Sequence, residues 1–135
     1  MAKRIRVLLA KLGLDSHTIG VTVIAKALRD AGMEVIYSGL KQTPEMVVRT
    51  AIQEDVDVVG LSSLSAAHMS HFSRVLELLR AEGAGDKLVI GGGVIPEPDA
   101  EKLRAMGVAA IFTMGATTTE IIEFIERWWT QREAQ

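Results

Sequence analysis

With 135 residues, 48% of them hydrophobic and 4% aromatic, the chain suits a single domain, residues 1–135, built on an aliphatic core. A formal charge of -2 gives no basic excess to hold a phosphate backbone, which sets nucleic acid aside as a partner. No cysteine is present, which removes a disulfide framework, a thiolate zinc site and a thiol nucleophile together, and the short apolar runs offer nothing to span a membrane.

Met1-Ala2-Lys3-Arg4 leads directly into an apolar run at residues 5–9, so a cytoplasmic protein is expected, beginning with a strand covered on both faces. The stretch from Lys11 to Gly20 follows as a loop. After it, Val23, Ile24, Ala27, Leu28 and Ala31 recur at helical spacing, with Gly32 placed to end the helix. Residues 33–37 form a second strand. Thr43-Pro44-Glu45 has the form of a helix start, threonine capping free N–H groups and proline fitting the first turn, and Val47, Val48, Ala51 and Ile52 make the expected buried stripe.

A third strand is expected at 56–61, followed by the small, hydroxyl-rich turn Ser62-Ser63-Leu64-Ser65-Ala66-Ala67. The next helix carries Phe72, Val75, Leu76 and Leu79 inward. Residues 87–90 form a fourth strand that runs into Gly91-Gly92-Gly93, and a helix at 98–106, a strand at 109–113 and a helix at 117–129 complete the pattern. Five strands alternating with five helices predict an α/β fold: a single flavodoxin-like (Rossmann-like), doubly wound, five-stranded parallel sheet, strand order 2-1-3-4-5. Its crevice lies at the carboxyl ends of the first and third strands, and the 11–20 loop, Ser62-Ser63-Leu64 and Gly91-Gly92-Gly93 all follow strand ends on that edge.

Several occupants of such a crevice are disfavoured. A phospho-receiver needs an aspartate at the end of its third strand, whereas here Gly60-Leu61-Ser62 stands there and Asp57 lies at the opposite edge. A flavin mononucleotide site calls for a hydroxyl-rich phosphate loop after the first strand, and this loop carries Leu12, Leu14, Asp15 and His17 instead. The triple glycine lacks the Gly-x-Gly-x-x-Gly order of a dinucleotide site. In the first loop, a neutral imidazole offers one ring nitrogen to a metal when its other N–H is held, and Asp15, two residues from His17, is a natural holder. Lys11 is placed to orient Asp15, and Gly13 and Gly20 allow a flat ligand close approach. The same Asp-x-His triplet also serves, in ordinary turns, to hydrogen-bond the backbone.

Asp15-Ser16-His17-Thr18-Ile19-Gly20, Ser62-Ser63-Leu64 and Gly92-Gly93 together resemble the Asp-x-His-x-x-Gly, Ser-x-Leu and Gly-Gly motifs of the cobalamin-binding domain of coenzyme-dependent mutases. The likeness runs from Ile5 to about the last helix. Gly60-Leu61-Ser62-Ser63-Leu64, His68 and Gly92-Gly93-Val94-Ile95-Pro96-Glu97 sharpen it towards acyl-CoA mutases of the methylmalonyl-CoA and isobutyryl-CoA type.

The resemblance implies adenosylcobalamin as cofactor, with His17 as the lower axial ligand of cobalt and Asp15 hydrogen-bonded to its other nitrogen. It implies further that Lys11, Gly20, Ser62, Leu64, Gly92, Gly93 and Gly115 contact the cofactor, the last five along its nucleotide tail. No residue of this chain is then a catalytic acid or base. In that family a barrel binds the acyl-CoA and shields the radicals; nothing in this chain could be that barrel. The resemblance therefore implies a detached small subunit whose partner is a large catalytic acyl-CoA-binding subunit, two of each in a heterotetramer, rearranging an acyl-CoA of the 2-hydroxyisobutyryl-CoA/3-hydroxybutyryl-CoA type. A corrinoid carrier for methyl transfer and a cobalamin-binding sensor are the alternatives. Ser16, Thr18, Ile19 and Ala116 depart from the family pattern. Outside the motifs, His68 and His71 are expected as exposed residues at a helix start, Trp128-Trp129 as packing, and Glu120, Glu123, Glu126 and Arg127 as a solvated face.

Overall fold

The structure, a computed structural model, describes residues 4–11, 19–38, 42–63, 68–93, 95–113 and 116–133, with the backbone alone at 11, 19, 20, 63, 68 and 113. The elements are β1 (Arg6–Lys11), α1 (Ile19–Asp30), β2 (Glu34–Tyr37), α2 (Pro44–Gln53), β3 (Val58–Ser63), α3 (His68–Ala81), β4 (Leu88–Gly93), α4 (Glu97–Met106), β5 (Ala110–Thr113) and α5 (Thr118–Glu133). All four strand pairings are parallel and the order is β2-β1-β3-β4-β5, as the alternation of patterns predicts.

Period-two alternation sorts each strand between two cores. Leu8, Ala10, Val59, Leu61 and Val89 face α2, α3 and α4, where Phe72, Val75, Leu79, Val47 and Leu103 meet them. Val7, Leu9, Val58, Leu88 and Ile90 face α1 and α5, against Val21, Ala25, Leu28, Ile121 and Ile125. Side chains buried this fully, such as Phe72, Leu8 and Leu28, each contribute roughly 1.5–3 kcal/mol by leaving water.

Thr43 caps α2 as its sequence predicts: its hydroxyl accepts the Met46 amide at 3.1 Å and Pro44 occupies the first turn. Thr43→Ala is expected to cost about 1 kcal/mol, read as a lowered urea midpoint at unchanged slope.

Several expectations need correction. Lys11, expected in the first loop, and Ser62 and Ser63, expected in the turn after the third strand, are the last residues of β1 and β3, held there by their parallel pairing. In α1 the buried stripe is Val21, Ala25 and Leu28 with Ile24 half-buried, while Val23 is 54% exposed and Ala31 lies outside; likewise Ile52 of α2 is 39% exposed. Each helix spreads apolar residues over a wider arc than one sheet face and a neighbouring helix can cover. Gly91-Gly92-Gly93, expected to follow the end of the fourth strand, is instead the last half of β4, because a strand flanked by β3 and β5 keeps its ladder without side chains. His71, expected exposed, is half-buried with its Nδ1 enclosed and lacking a hydrogen-bond partner.

The amino edge of the sheet is a charged latch. The Arg6 amide donates to the buried Asp57 carboxylate at 3.0 Å, and the Arg6 side chain donates to the Glu54 carbonyl and pairs with Glu34. Arg132 approaches Asp57 at 3.8 Å and Asp86 at 3.4 Å and lies over the rings of Trp128 and Trp129 at 5.2 and 5.8 Å. Asp57 is thus structural, at the end of β3 remote from the crevice. Glu120, Glu123, Glu126 and Arg127 form the solvated face of α5.

Candidate functional site

Parallel pairing places the carboxyl ends of all five strands on one edge, and the register there aligns residues that the sequence keeps far apart. Lys11 pairs with Ser62, Ser62 with Gly92 and Gly92 with Phe112, one row across β1, β3, β4 and β5. Adjacent strands lie about 4.8 Å apart, so the end of β1 at Lys11 is one strand from Ser62 and roughly 10 Å from Gly92. Two residues deeper, Leu9, Gly60, Ile90 and Ala110 form a second row.

Between these rows and the helices covering them lies a cavity of about 190 Å³. Its floor is Leu9 and Ala10 of β1, Gly60, Leu61 and Ser62 of β3, Ile90 to Gly93 of β4 and Phe112 of β5. Val21, Ile24 and Leu28 of α1 and Ile121 of α5 form its roof. None of these residues is charged, and Ser62 brings the only polar side chain among them.

The glycines make this space. A Cβ on Gly60 would lie 2.7 Å from Leu9 Cδ2, and one on Gly92 would lie 3.0 Å from the Phe112 carbonyl oxygen. Both positions belong to the strand face under α1 and α5, so the missing side chains leave the floor low where the roof would otherwise close on it. Gly91 serves the other face: its Cβ would meet Phe72 at 2.6 Å and Ile111 at 3.0 Å, so its absence seats α3. Gly93 ends the strand at φ 121°, a left-handed backbone that side chains disfavour.

Of the residues singled out by sequence, Ser62, Gly92 and Gly93 line the cavity. The backbones of Lys11 and Gly20 stand at the carboxyl end of β1 and in the first turn of α1. Asp15, His17, Leu64 and Gly115 lie outside the described residues. Among the described residues no three His, Asp or Glu side chains gather as a metal site, and the His68 side chain lies outside those residues. The apolar walls Leu9, Ile24, Leu28, Ile90, Phe112 and Ile121 were not foreseen, since their pattern is that of any core. Gly60 did carry a signal: a glycine inside an apolar strand marks close approach by a ligand or another chain segment.

At its carboxyl edge the doubly wound sheet thus carries a glycine-floored slot whose described lining is uncharged and mostly apolar. The chain belongs to the B12-binding domain family, whose model matches residues 5–123. It is 53% identical to the 2-hydroxyisobutanoyl-CoA mutase small subunit of Aquincola tertiaricarbonis, over 97% of this chain and 96% of that protein. It is 46% identical to the pivalyl-CoA mutase small subunit of Xanthobacter autotrophicus (strain ATCC BAA-1158 / Py2), over 90% of this chain and 81% of that one. By sequence, then, the chain groups with the small subunits of CoA mutases, which are isomerases. Among solved structures, a cobalamin-binding protein from Desulfitobacterium hafniense DCB-2 superimposes with a TM-score of 0.80 at 23% identity, covering 93% of this chain and 60% of that one, a likeness of fold. Among the described residues no helix is long and apolar enough to cross a membrane.

Proposed function

We propose that the whole chain, residues 1–135, acts in the cytoplasm as the cobalamin-binding small subunit of a two-subunit, adenosylcobalamin-dependent acyl-CoA mutase, two small subunits pairing with two large ones. The observation that carries this reading is the register row joining the end of β1, Ser62 and Gly92 beside an apolar cavity. It supports the reading because Lys11, from which the sequence runs on to Asp15 and His17, lies one strand from Ser62 of that slot. The fit can be judged from the slot itself: cobalamin ends in a methylated bicyclic base on a nucleotide tail, and an apolar cavity of about 150 Å³ already accepts benzene. One of about 190 Å³, with its floor lowered at Gly60 and Gly92, suits the larger ring.

Within this reading His17 holds cobalt through one neutral ring nitrogen, and Asp15 accepts the N–H of the other, fixing tautomer and orientation. Lys11 steadies the Asp15 carboxylate. Ser62 offers a hydroxyl to the base, Leu64 an apolar contact, and Gly20, Gly92, Gly93 and Gly115 permit close passage of the tail. When bound, the cofactor supplies a carbon-centred radical through homolysis of its cobalt–carbon bond. This chain would anchor and orient the cofactor and exclude water from the slot with Val21, Ile24, Leu28 and Ile121, while the large subunit binds the acyl-CoA. The substrate proposed is an acyl-CoA of the 2-hydroxyisobutyryl-CoA/3-hydroxybutyryl-CoA type, supported by the first of the two relatives.

The test is spin resonance of cobalamin(II) with the full chain labelled with ¹⁵N-histidine, with and without the large subunit. Coupling of one ¹⁵N to cobalt is expected. Retention of the benzimidazole nitrogen on cobalt in the active complex would refute the assignment.

A further inference from the structure

Resting on that functional reading, we infer that the cavity selects among corrinoids by the base that ends their tail, accepting an alkylated benzimidazole and discriminating against a purine such as adenine. The cavity's described lining has one polar side chain, the Ser62 hydroxyl. Along the floor β3 and β4 are each paired on both sides, which commits the amides and carbonyls of their interior residues to the sheet.

A benzimidazole released from cobalt has a single ring nitrogen in want of a donor, and one hydroxyl answers it. Its methylated edge gains by leaving water for Ile24, Leu28 and Phe112. Adenine brings an exocyclic amine and several ring nitrogens, more than one hydroxyl can satisfy. Each group left unpaired on entry loses its hydration without return. Apolar walls reject a ligand carrying one additional polar group by on the order of 100-fold at best, so a preference of roughly 10–100-fold is expected here.

The experiment is equilibrium dialysis of the full chain against four corrinoids, followed by their own visible absorbance: cobalamin, the benzimidazole analogue without methyls, the adenine analogue, and tail-less cobinamide. Adenine is the less basic cobalt ligand and leaves the metal more readily, which favours the adenine analogue before the cavity is consulted. A dissociation constant 10–100-fold lower for cobalamin than for the adenine analogue, with the unmethylated base between them, is therefore the expected result against an opposing bias. An adenine analogue bound within threefold of cobalamin would overturn the inference and leave the functional reading standing. Failure of all four to bind would overturn the functional reading, and the inference with it. In Ile24→Asn, which places an amide on the half-buried roof, the ratio is expected to shrink towards unity; an unchanged ratio would show that this wall does not select.

Discussion

His17→Ala is expected to abolish the ¹⁵N coupling to cobalt and to weaken cobalamin binding by about 100-fold or more, close to 2.8 kcal/mol. The size follows from comparison: losing a group that merely orients a metal ligand costs roughly 10–100-fold, and here the ligand itself is removed. A urea titration of the same variant gives the folded fraction, so that the lost coupling and affinity are read per folded molecule. With the imidazole gone, the benzimidazole can return to cobalt, so the spectrum should show an unlabelled nitrogen in place of the labelled one. Asp15→Asn separates holding from ligating. The amide oxygen still accepts from the imidazole but without charge, so the coupling should persist while affinity or turnover falls about 10-fold, at the weak end of orienting-group effects. Equal loss in both variants would mean that Asp15 is needed to form the loop rather than to hold the ring.

The fold was legible because its two periodicities are clean. Short apolar runs alternate with helical stripes, which leaves a parallel sheet and little else, and the capping pair Thr43-Pro44 and the inward set Phe72, Val75, Leu76 and Leu79 stand where their spacing puts them. What sequence could not settle is how far an apolar arc is covered. Val23 and Ile52 satisfy helical spacing as well as their buried neighbours do, and only the outer limits of the sheet and adjacent helices leave them in water. The triple glycine misled for a related reason: glycine is a poor strand former on its own, and β4 gains its ladder from two neighbours that local propensity does not see. The candidate site was half legible. Ser62, Gly92 and Gly93 could be singled out because they belong to motifs that follow strand ends on one edge of the sheet, whereas Leu28 or Ile121 lining a cavity looks the same in sequence as Leu79 filling a core.

That distinction between two faces of one strand gives the other large expected effect. Gly92→Val should reduce the affinity for tailed corrinoids by about 100-fold, because the new side chain starts 3.0 Å from the Phe112 carbonyl oxygen and extends into the cavity beside Ser62. A backbone oxygen in a paired strand cannot swing aside as a side-chain terminus could, so the substitution should also cost roughly 1–3 kcal/mol of stability. Stability alone would lower binding of every corrinoid in proportion to the folded fraction. Cobinamide, which has no base to lodge in the slot, provides the control, and its binding per folded molecule should be unaffected. Gly91→Ala completes the comparison from the opposite face. Its Cβ meets Phe72 at 2.6 Å rather than the cavity, so the expected loss is of stability, again roughly 1–3 kcal/mol, with the ratio of cobalamin to cobinamide affinity preserved. Should both variants change that ratio alike, the slot would be sensitive to the sheet as a whole, and Gly92 would have no separate part in admitting the tail.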